Sequence, residues 1–153
     1  MAKKSAGILL YRFQKEEPQV LLVHPGGPFW RNKDLGAWSV PKGEFTDEEE
    51  PLAAAIREVQ EELGIEVSGE FRALAPARQK SGKTIYTWAL QQDIDADHII
   101  SNTFELEWPP KSGRTMMIPE VDKAGWFNLD EARNKIIPGQ VAILESFLKI
   151  LKA

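Results

Sequence analysis

Between residues 43 and 65 the chain reads GEFTDEEEPLAAAIREVQEELGI, with four glutamates (Glu49, Glu58, Glu61 and Glu62) and Arg57 at spacings that could do chemistry. Glu58, Glu61 and Glu62 stand at i, i+3 and i+4, so on a helix their carboxylates fall within one turn of each other. Like charges at that range repel, and a helix surface gains nothing by grouping them. A hard divalent cation removes the penalty. Mg²⁺ takes oxygen ligands, keeps part of its water shell, and is held by a few carboxylates together with substrate phosphates. The spacing therefore points to a cluster built to hold a metal.

A helix must position these groups, and its signals are present. Leu52, Ile56, Val59 and Leu63 form one apolar stripe at helical period, which predicts the buried face, and the three glutamates lie on another. Pro51 suits the first turn, where its missing N–H costs nothing, and Gly64 suits the left-handed position just past a C-terminus. Acidic residues 47–50 near the start favour the helix dipole. Pro41, Lys42 and Gly43 lead in from a short strand. The competing reading is an amphipathic helix with a merely solvated acidic face.

The fixed positions decide between these readings. Gly43, Glu49, Arg57, Glu58, Val59, Glu61, Glu62, Gly64 and Ile65 fill Gly-x5-Glu-x7-Arg-Glu-U-x-Glu-Glu-x-Gly-U, with U aliphatic, so the chain resembles the Nudix (MutT-like) hydrolases. The resemblance implies an α/β/α sandwich around a mixed sheet, and hydrolysis of a diphosphate linkage by metal-activated water. It implies Glu58, Glu61 and Glu62 as metal ligands, one of them also acting on the attacking water, with the carbonyl of Lys42 as a further ligand. Arg57 would orient Glu61, and Glu49 would support the junction of loop and helix. Mg²⁺ is the implied cofactor, with Mn²⁺ as a substitute. An acidic residue downstream supplies another ligand or the base in many relatives. Glu120, Glu105 and Glu107 are candidates here, Glu120 first because it precedes the Trp126-Phe127 strand. One departure lies in the variable part of the box, where Glu48 stands in place of a glycine common among relatives.

Composition narrows the alternatives. At 153 residues and 42% hydrophobic content, the chain suits one domain, residues 1–153, with a core of its own. A net charge of −4 argues against a general nucleic-acid surface. No cysteine means no disulfide framework and no thiol nucleophile, and with only His24 and His98 a serine–histidine triad is a poor proposal. The apolar run in MAKKSAGILLYRF is too short to span a membrane and has no signal-like cleavage site, so a soluble cytoplasmic protein is expected. Nothing in these patterns assigns an oligomeric state.

Around the helix, residues 5–13 and 19–24 predict a hairpin, and 37–40, 66–67, 71–79, 84–91 and 125–128 predict further strands. Residues 130–136 and 140–151 predict helices. Strands with an early and a late helix predict an α/β fold, a sheet covered on both faces.

Substrate contacts must come from outside the box. In residues 24–38, HPGGPFWRNKDLGAW, Phe29, Trp30 or Trp38 could stack on a nucleobase, and Arg31, Lys33 or Lys42 could meet phosphate. Two basic turns, residues 80–84 and 111–115, add Lys83 and its counterparts, although such turns are also ordinary hairpin material. The first is not a P-loop, because Ala77 stands where the leading glycine is required. His24 reads as a structural strand-end residue. Residues 102–120 are interrupted by prolines and read as a long loop beside the site.

Beyond the box, HPGGPFW, WSVPKGE, FELEWPPKSGR and PEVDKAGWF are similar to a bacterial group of predicted NTP pyrophosphohydrolases. The Pro-Lys-Gly before the helix resembles diadenosine polyphosphate hydrolases, which places dinucleoside polyphosphates ahead of nucleoside triphosphates as the expected small-molecule partner. Nucleotide sugars, ADP-ribose and inositol pyrophosphates stay open. The alternative from another class is a non-catalytic nucleotide-binding or regulatory domain that kept the fold, which the loss of a box carboxylate would favour.

Overall fold

The computed structural model describes residues 3–152. Strand β1 (Lys4–Gln14) turns at Lys15 and Glu16, both at positive φ, into β2 (Glu17–Pro25). The irregular segment that follows enters β3 (Lys42–Phe45) and helix α1 (Pro51–Leu63). After it come β4 (Arg72–Ala73), β5 (Ala77–Arg78), β6 (Thr84–Gln91), β7 (Thr103–Glu107), β8 (Thr115–Pro119) and β9 (Val121–Asn128), then helices α2 (Leu129–Lys135) and α3 (Val141–Lys152).

One seven-stranded sheet runs β4-β6-β1-β2-β9, with β3 on β1 and β5 on β6. The β1–β6 pair is parallel and the other pairs are antiparallel, so the sheet is mixed. Alternate residues of β1 feed opposite layers, as the two-residue period of a strand requires. Ala6, Ile8 and Leu10 pack with Ala54, Ala55, Val59 and Leu63 of α1, while Leu9 and Tyr11 pack with Ile143, Leu144 and Phe147 of α3. This is the α/β/α arrangement expected. No described helix is long and apolar enough to cross a membrane.

Helix α1 begins and ends where its signals lie. The Glu50 carboxylate accepts from the Ala53 N–H at 2.9 Å, Pro51 is the first helical residue, and Gly64 closes the helix at φ +69°. Its buried face differs from the expected stripe. Val59 and Leu63 are fully buried and Leu52 and Ile56 only partly, while Ala54, Ala55, Glu58 and Glu62 are buried as well. The small alanines let the helix sit low on the sheet, and that rotation carries two glutamates inward with the apolar side chains.

Four other expectations are corrected. Residues 37–40 form no strand but two isolated bridges, Val23 to Ser39 and Trp38 to Ile136; the strand entering the box is β3, after Pro41, which has no N–H for a ladder. Residues 66–67 are irregular, although Val67 is buried. The single strand over 71–79 is split into β4 and β5 around Pro76 for the same reason. Residues 102–120 are a hairpin rather than a loop, because Pro109 and Pro110 fall in its turn and leave two five-residue strands free to pair.

A Cβ on Gly64 would lie 2.7 Å from the Ile100 carbonyl oxygen, in addition to the cost of a side chain at φ +69°. Gly64→Ala is therefore expected to destabilise the protein by about 1–3 kcal/mol in urea unfolding; an unchanged midpoint would show that the helix end tolerates both strains.

Candidate active site

The site is built where β3 runs closest to α1. A Cβ on Gly43 would lie 1.9 Å from the Glu58 carboxyl carbon, so only glycine lets that carboxylate rest against the strand. One residue earlier, the Lys42 N–H donates to Glu62 Oε1 at 3.3 Å. Glu120 arrives from the other side, between β8 and β9. Its N–H donates to the Asn102 carbonyl at 2.8 Å, and its own carbonyl accepts from the Gly26 N–H at 3.1 Å. Carboxylate oxygens of Glu58, Glu62 and Glu120 all lie within 4.8 Å of one another.

Arg57 organises the outer edge of this cluster. Its Nε and Nη2 donate to the two oxygens of Glu49, each at 3.0 Å, a bidentate pair, and its Nη1 reaches Glu58 Oε1 at 3.0 Å and Glu61 Oε1 at 3.2 Å. Glu61 is not one of those three, although its charge bears on both Glu58 and Glu120. Its carbonyl accepts from the Asn102 N–H at 2.8 Å, tying the base of the β7–β8 hairpin to the helix. The structure thus groups Glu58 and Glu62 with Glu120, and places Glu61 with Arg57.

Burial and mutual repulsion mark these carboxyls. Burial, opposed by Lys42 and reinforced by Glu120 and Glu58, pushes the Glu62 carboxyl up to about 8. Burial and then the Glu61 charge push Glu58 and Glu120 up as well. The Glu49 hydrogen bonds hold the Arg57 guanidinium above its usual range. Lys42 is shifted down, first by burial and then by Lys83. Three oxygen donors that repel one another out of water are the donor set that a hard dication satisfies, and these residues fit Mg²⁺.

The expected substrate residues fall in different places. Trp30 lines a cavity of about 230 Å³ together with Val23, Pro25, Lys42, Glu62 and Glu120. Trp38 does not offer a stacking face: it is 5% exposed, donates through Nε1 to Asp34 at 2.8 Å, and packs edge-on against His24 and Phe127. The segment around Trp38 is pinned to the sheet by its bridge to Ile136, which draws the ring into the core. Arg31 is exposed and does not line this cavity, and Lys33 lies over the Phe29 ring at 3.8 Å. Lys83 is half-buried, near enough to Lys42 to repel it. Glu105 and Glu107 are exposed on β7, where Glu107 accepts from the Lys111 N–H at 2.9 Å. His24 is buried between the Lys33 carbonyl and Asp122, as a structural residue would be. Sequence reasoning missed Ser101 and Asn102, which hold the Glu120 segment by accepting from the Val121 and Glu120 N–H groups. Neither carries a motif that could have revealed it.

The NUDIX domain family model matches residues 1–147. The chain belongs to the NUDIX family. Its Nudix fold is shared with the binary complex of the Ap4A hydrolase of C. elegans, at 22% identity and TM-score 0.64 over 99% of this chain and 98% of that one. The NUDIX domain of Shewanella oneidensis NrtR complexed with ADP ribose matches at 17% identity and TM-score 0.68, covering 99% and 89%. A MutT/nudix family protein from Enterococcus faecalis matches at 16% identity and TM-score 0.66, covering 99% of this chain and 63% of its own.

Two outcomes are expected of this Nudix site. Gly43→Ala, which pushes the Glu58 carboxylate out of its place, should lower turnover roughly 100-fold in a steady-state assay while the far-UV spectrum stays native. In metal-free protein the stability Glu62 lends is complete below the ordinary value of 4.5 and is lost as pH rises through about 8. Urea unfolding between pH 5 and 9 should show that decline, Glu62→Gln should flatten it, and a decline unchanged in the variant would sink the assignment.

Proposed function

We propose that this Nudix hydrolase cleaves the diphosphate linkage of a nucleoside diphosphate derivative, using Mg²⁺ or Mn²⁺, with residues 1–153 acting as one domain. Met1, Ala2 and Ala153 of that domain lie outside the described residues. The observation that carries the reading is the meeting of Glu58, Glu62 and Glu120 beside Gly43 of β3. Dinucleoside polyphosphates rank ahead of nucleoside triphosphates. Support comes from the neighbours, one an Ap4A hydrolase and another a domain complexed with ADP ribose.

Glu58, Glu62 and Glu120 hold the cation, with the Lys42 peptide at their edge. When bound, the cation supplies positive charge for the phosphoryl oxygens and makes a nearby water more acidic. Arg57 fixes Glu58 and Glu61 in relative position, and Glu61 at the rim and Glu120 within the cluster are the two candidates to accept the proton of the attacking water. The Lys42 ammonium, which faces Lys83 and several carboxylates, gains an anionic partner when phosphate enters, and Lys83 shares that anion. Trp30 forms the apolar wall beside the phosphates. A non-catalytic role would tolerate a missing carboxylate, and here every box glutamate is present.

The experiment is a panel of Ap4A, ADP-ribose, nucleotide sugars and nucleoside triphosphates assayed for phosphate-containing products with Mg²⁺ and Mn²⁺. Wild-type protein should turn over at least one, Ap4A before the triphosphates, and Glu61→Gln should lower the rate by roughly 100-fold or more. Wild-type inactivity on every diphosphate overturns the enzyme reading, and undiminished activity in Glu61→Gln overturns the role given to that residue.

A further inference from the structure

Far along the chain from the box, one amide side chain lies wholly inside the core. Gln140 closes the 3₁₀ turn Pro138–Gln140 ahead of α3 and is 0% exposed. A buried amide is unfavourable unless both of its ends are paired, and here they are. Its Oε1 accepts from the Val40 N–H at 3.0 Å, and its Nε2 donates to Ser39 Oγ at 3.0 Å. The Val40 N–H can only donate, which fixes the end of the amide that is oxygen. The Ser39 hydroxyl donates in turn to the Val40 carbonyl at 2.7 Å.

These contacts join segments 100 residues apart that run side by side. The Gly36 and Trp38 N–H groups donate to the carbonyls of Asn134 and Lys135 at 3.0 and 2.9 Å, and the Ile137 N–H donates to the Trp38 carbonyl at 2.8 Å. Ser39 turns the other way and exchanges both backbone bonds with Val23 of β2. The backbone partner runs out at Pro138, which has no N–H and starts the 3₁₀ turn. Gln140 then supplies from its side chain the acceptor that Val40 would otherwise lack. Pro41 has no N–H either, so that of Val40 is the last one before the Lys42 N–H donates to Glu62. On the opposite side the Pro41 carbonyl accepts from the Ile8 N–H at 3.2 Å and lies 2.4 Å from where a Cβ on Gly7 would stand. Residues 40–42 are thus held between β1 and Gln140.

We propose that Gln140 is a positioning residue of the metal site: by holding the Val40 N–H it fixes the Lys42 peptide against Glu62 and Gly43 against Glu58, and so sets the affinity for the cation. The inference rests on the Mg²⁺-dependent reading above and adds a residue that touches neither cation nor substrate. A shift of Val40 carries Lys42 and Gly43 with it, and Gly43 leaves the only room in which the Glu58 carboxyl fits. Groups that orient the ligands of a metal, without binding it, change its affinity by about 10–100-fold when they are lost.

The test compares Gln140→Met, which keeps the length of the side chain without its amide, with Phe147→Leu, which loosens the same core layer where it packs on Tyr11. In amide spectra of ¹⁵N-labelled protein free of nucleotide, Val40, Lys42 and Gly43 should move in Gln140→Met, with hydrogen exchange at Val40 roughly tenfold faster. Lys42 and Gly43 should stay in place in Phe147→Leu. Mn²⁺ titrated into the same samples and followed by electron paramagnetic resonance should bind Gln140→Met roughly tenfold more weakly, and Phe147→Leu as tightly as wild type. In turnover, the Mg²⁺ concentration for half-activation should rise by the same factor, with KM for the nucleotide at saturating Mg²⁺ unchanged. Gln140→Glu, which returns an oxygen to the Val40 N–H, should recover most of the Mn²⁺ affinity. If Gln140→Met does not fold, Gln140→Asn, one methylene short of Val40, carries the same expectations. Unmoved Lys42 and Gly43 amides, undiminished Mn²⁺ affinity, an equal loss in Phe147→Leu, or no recovery in Gln140→Glu overturns the assignment. Absence of hydrolysis by the wild-type protein strikes the proposed activity alone, because amide positions and Mn²⁺ binding are read without turnover.

Discussion

Burying carboxylates beside one another is unfavourable unless other contacts hold their helix in place, and here apolar packing does so. Val59 and Leu63 are fully buried against Ile8, Leu10 and their neighbours, with Ala54 and Ala55 bringing the helix close. Each large side chain buried in this way contributes about 1.5–3 kcal/mol, enough for a few of them to offset the desolvation of a carboxyl kept partly protonated. Glu58 and Glu62 are carried along because they alternate with those residues on the inward half of the helix. Gly43 completes the constraint by leaving the space into which the Glu58 carboxyl fits.

Around that contact the structure separates two kinds of carboxylate. Glu58, Glu62 and Glu120 share a small volume and are all pushed toward protonation, whereas Glu49 and Glu61 sit at the rim with the Arg57 guanidinium. One arginine thus holds the outer acids in place through its hydrogen bonds, while the inner ones crowd together out of water. A lysine could not make the same contacts, because the bidentate fork to Glu49 and the reach to Glu58 and Glu61 use three nitrogens of one planar group.

The hairpin formed by β7 and β8 links this chemistry to whatever lies beyond it. Its base is bonded to the last turn of α1 and to Gly26, and Glu120 is part of that base. Any displacement of the hairpin therefore moves a carboxylate of the cluster. A proline-rich segment would have made a poor anchor as an open loop, and pairing its flanks gives it the stiffness to hold Glu120 in register.

Much of this was legible from residue spacing. The residues in and around the box predicted the helix, its ends at Pro51 and Gly64, and the grouping of acids on it, because helical period and end signals are local properties of the chain; that Glu50 caps it was seen only in the structure. The β-rich runs, with one early and one late helix, likewise predicted a sheet covered on both faces. What tertiary structure decided were the relations between distant residues: that Glu120, 58 positions beyond Glu62, joins Glu58 and Glu62, and that Trp38 is a core residue while Trp30 faces the cavity. The helix rotated about its axis to bury two alanines, a choice that periodicity cannot make because the apolar stripe and the acidic face overlap at their border. The 102–120 hairpin stayed hidden because its turn prolines read as a loop until two strands are seen to pair across them. Spacing along one element is set by covalent geometry, but which elements meet is set by the packing of the whole core.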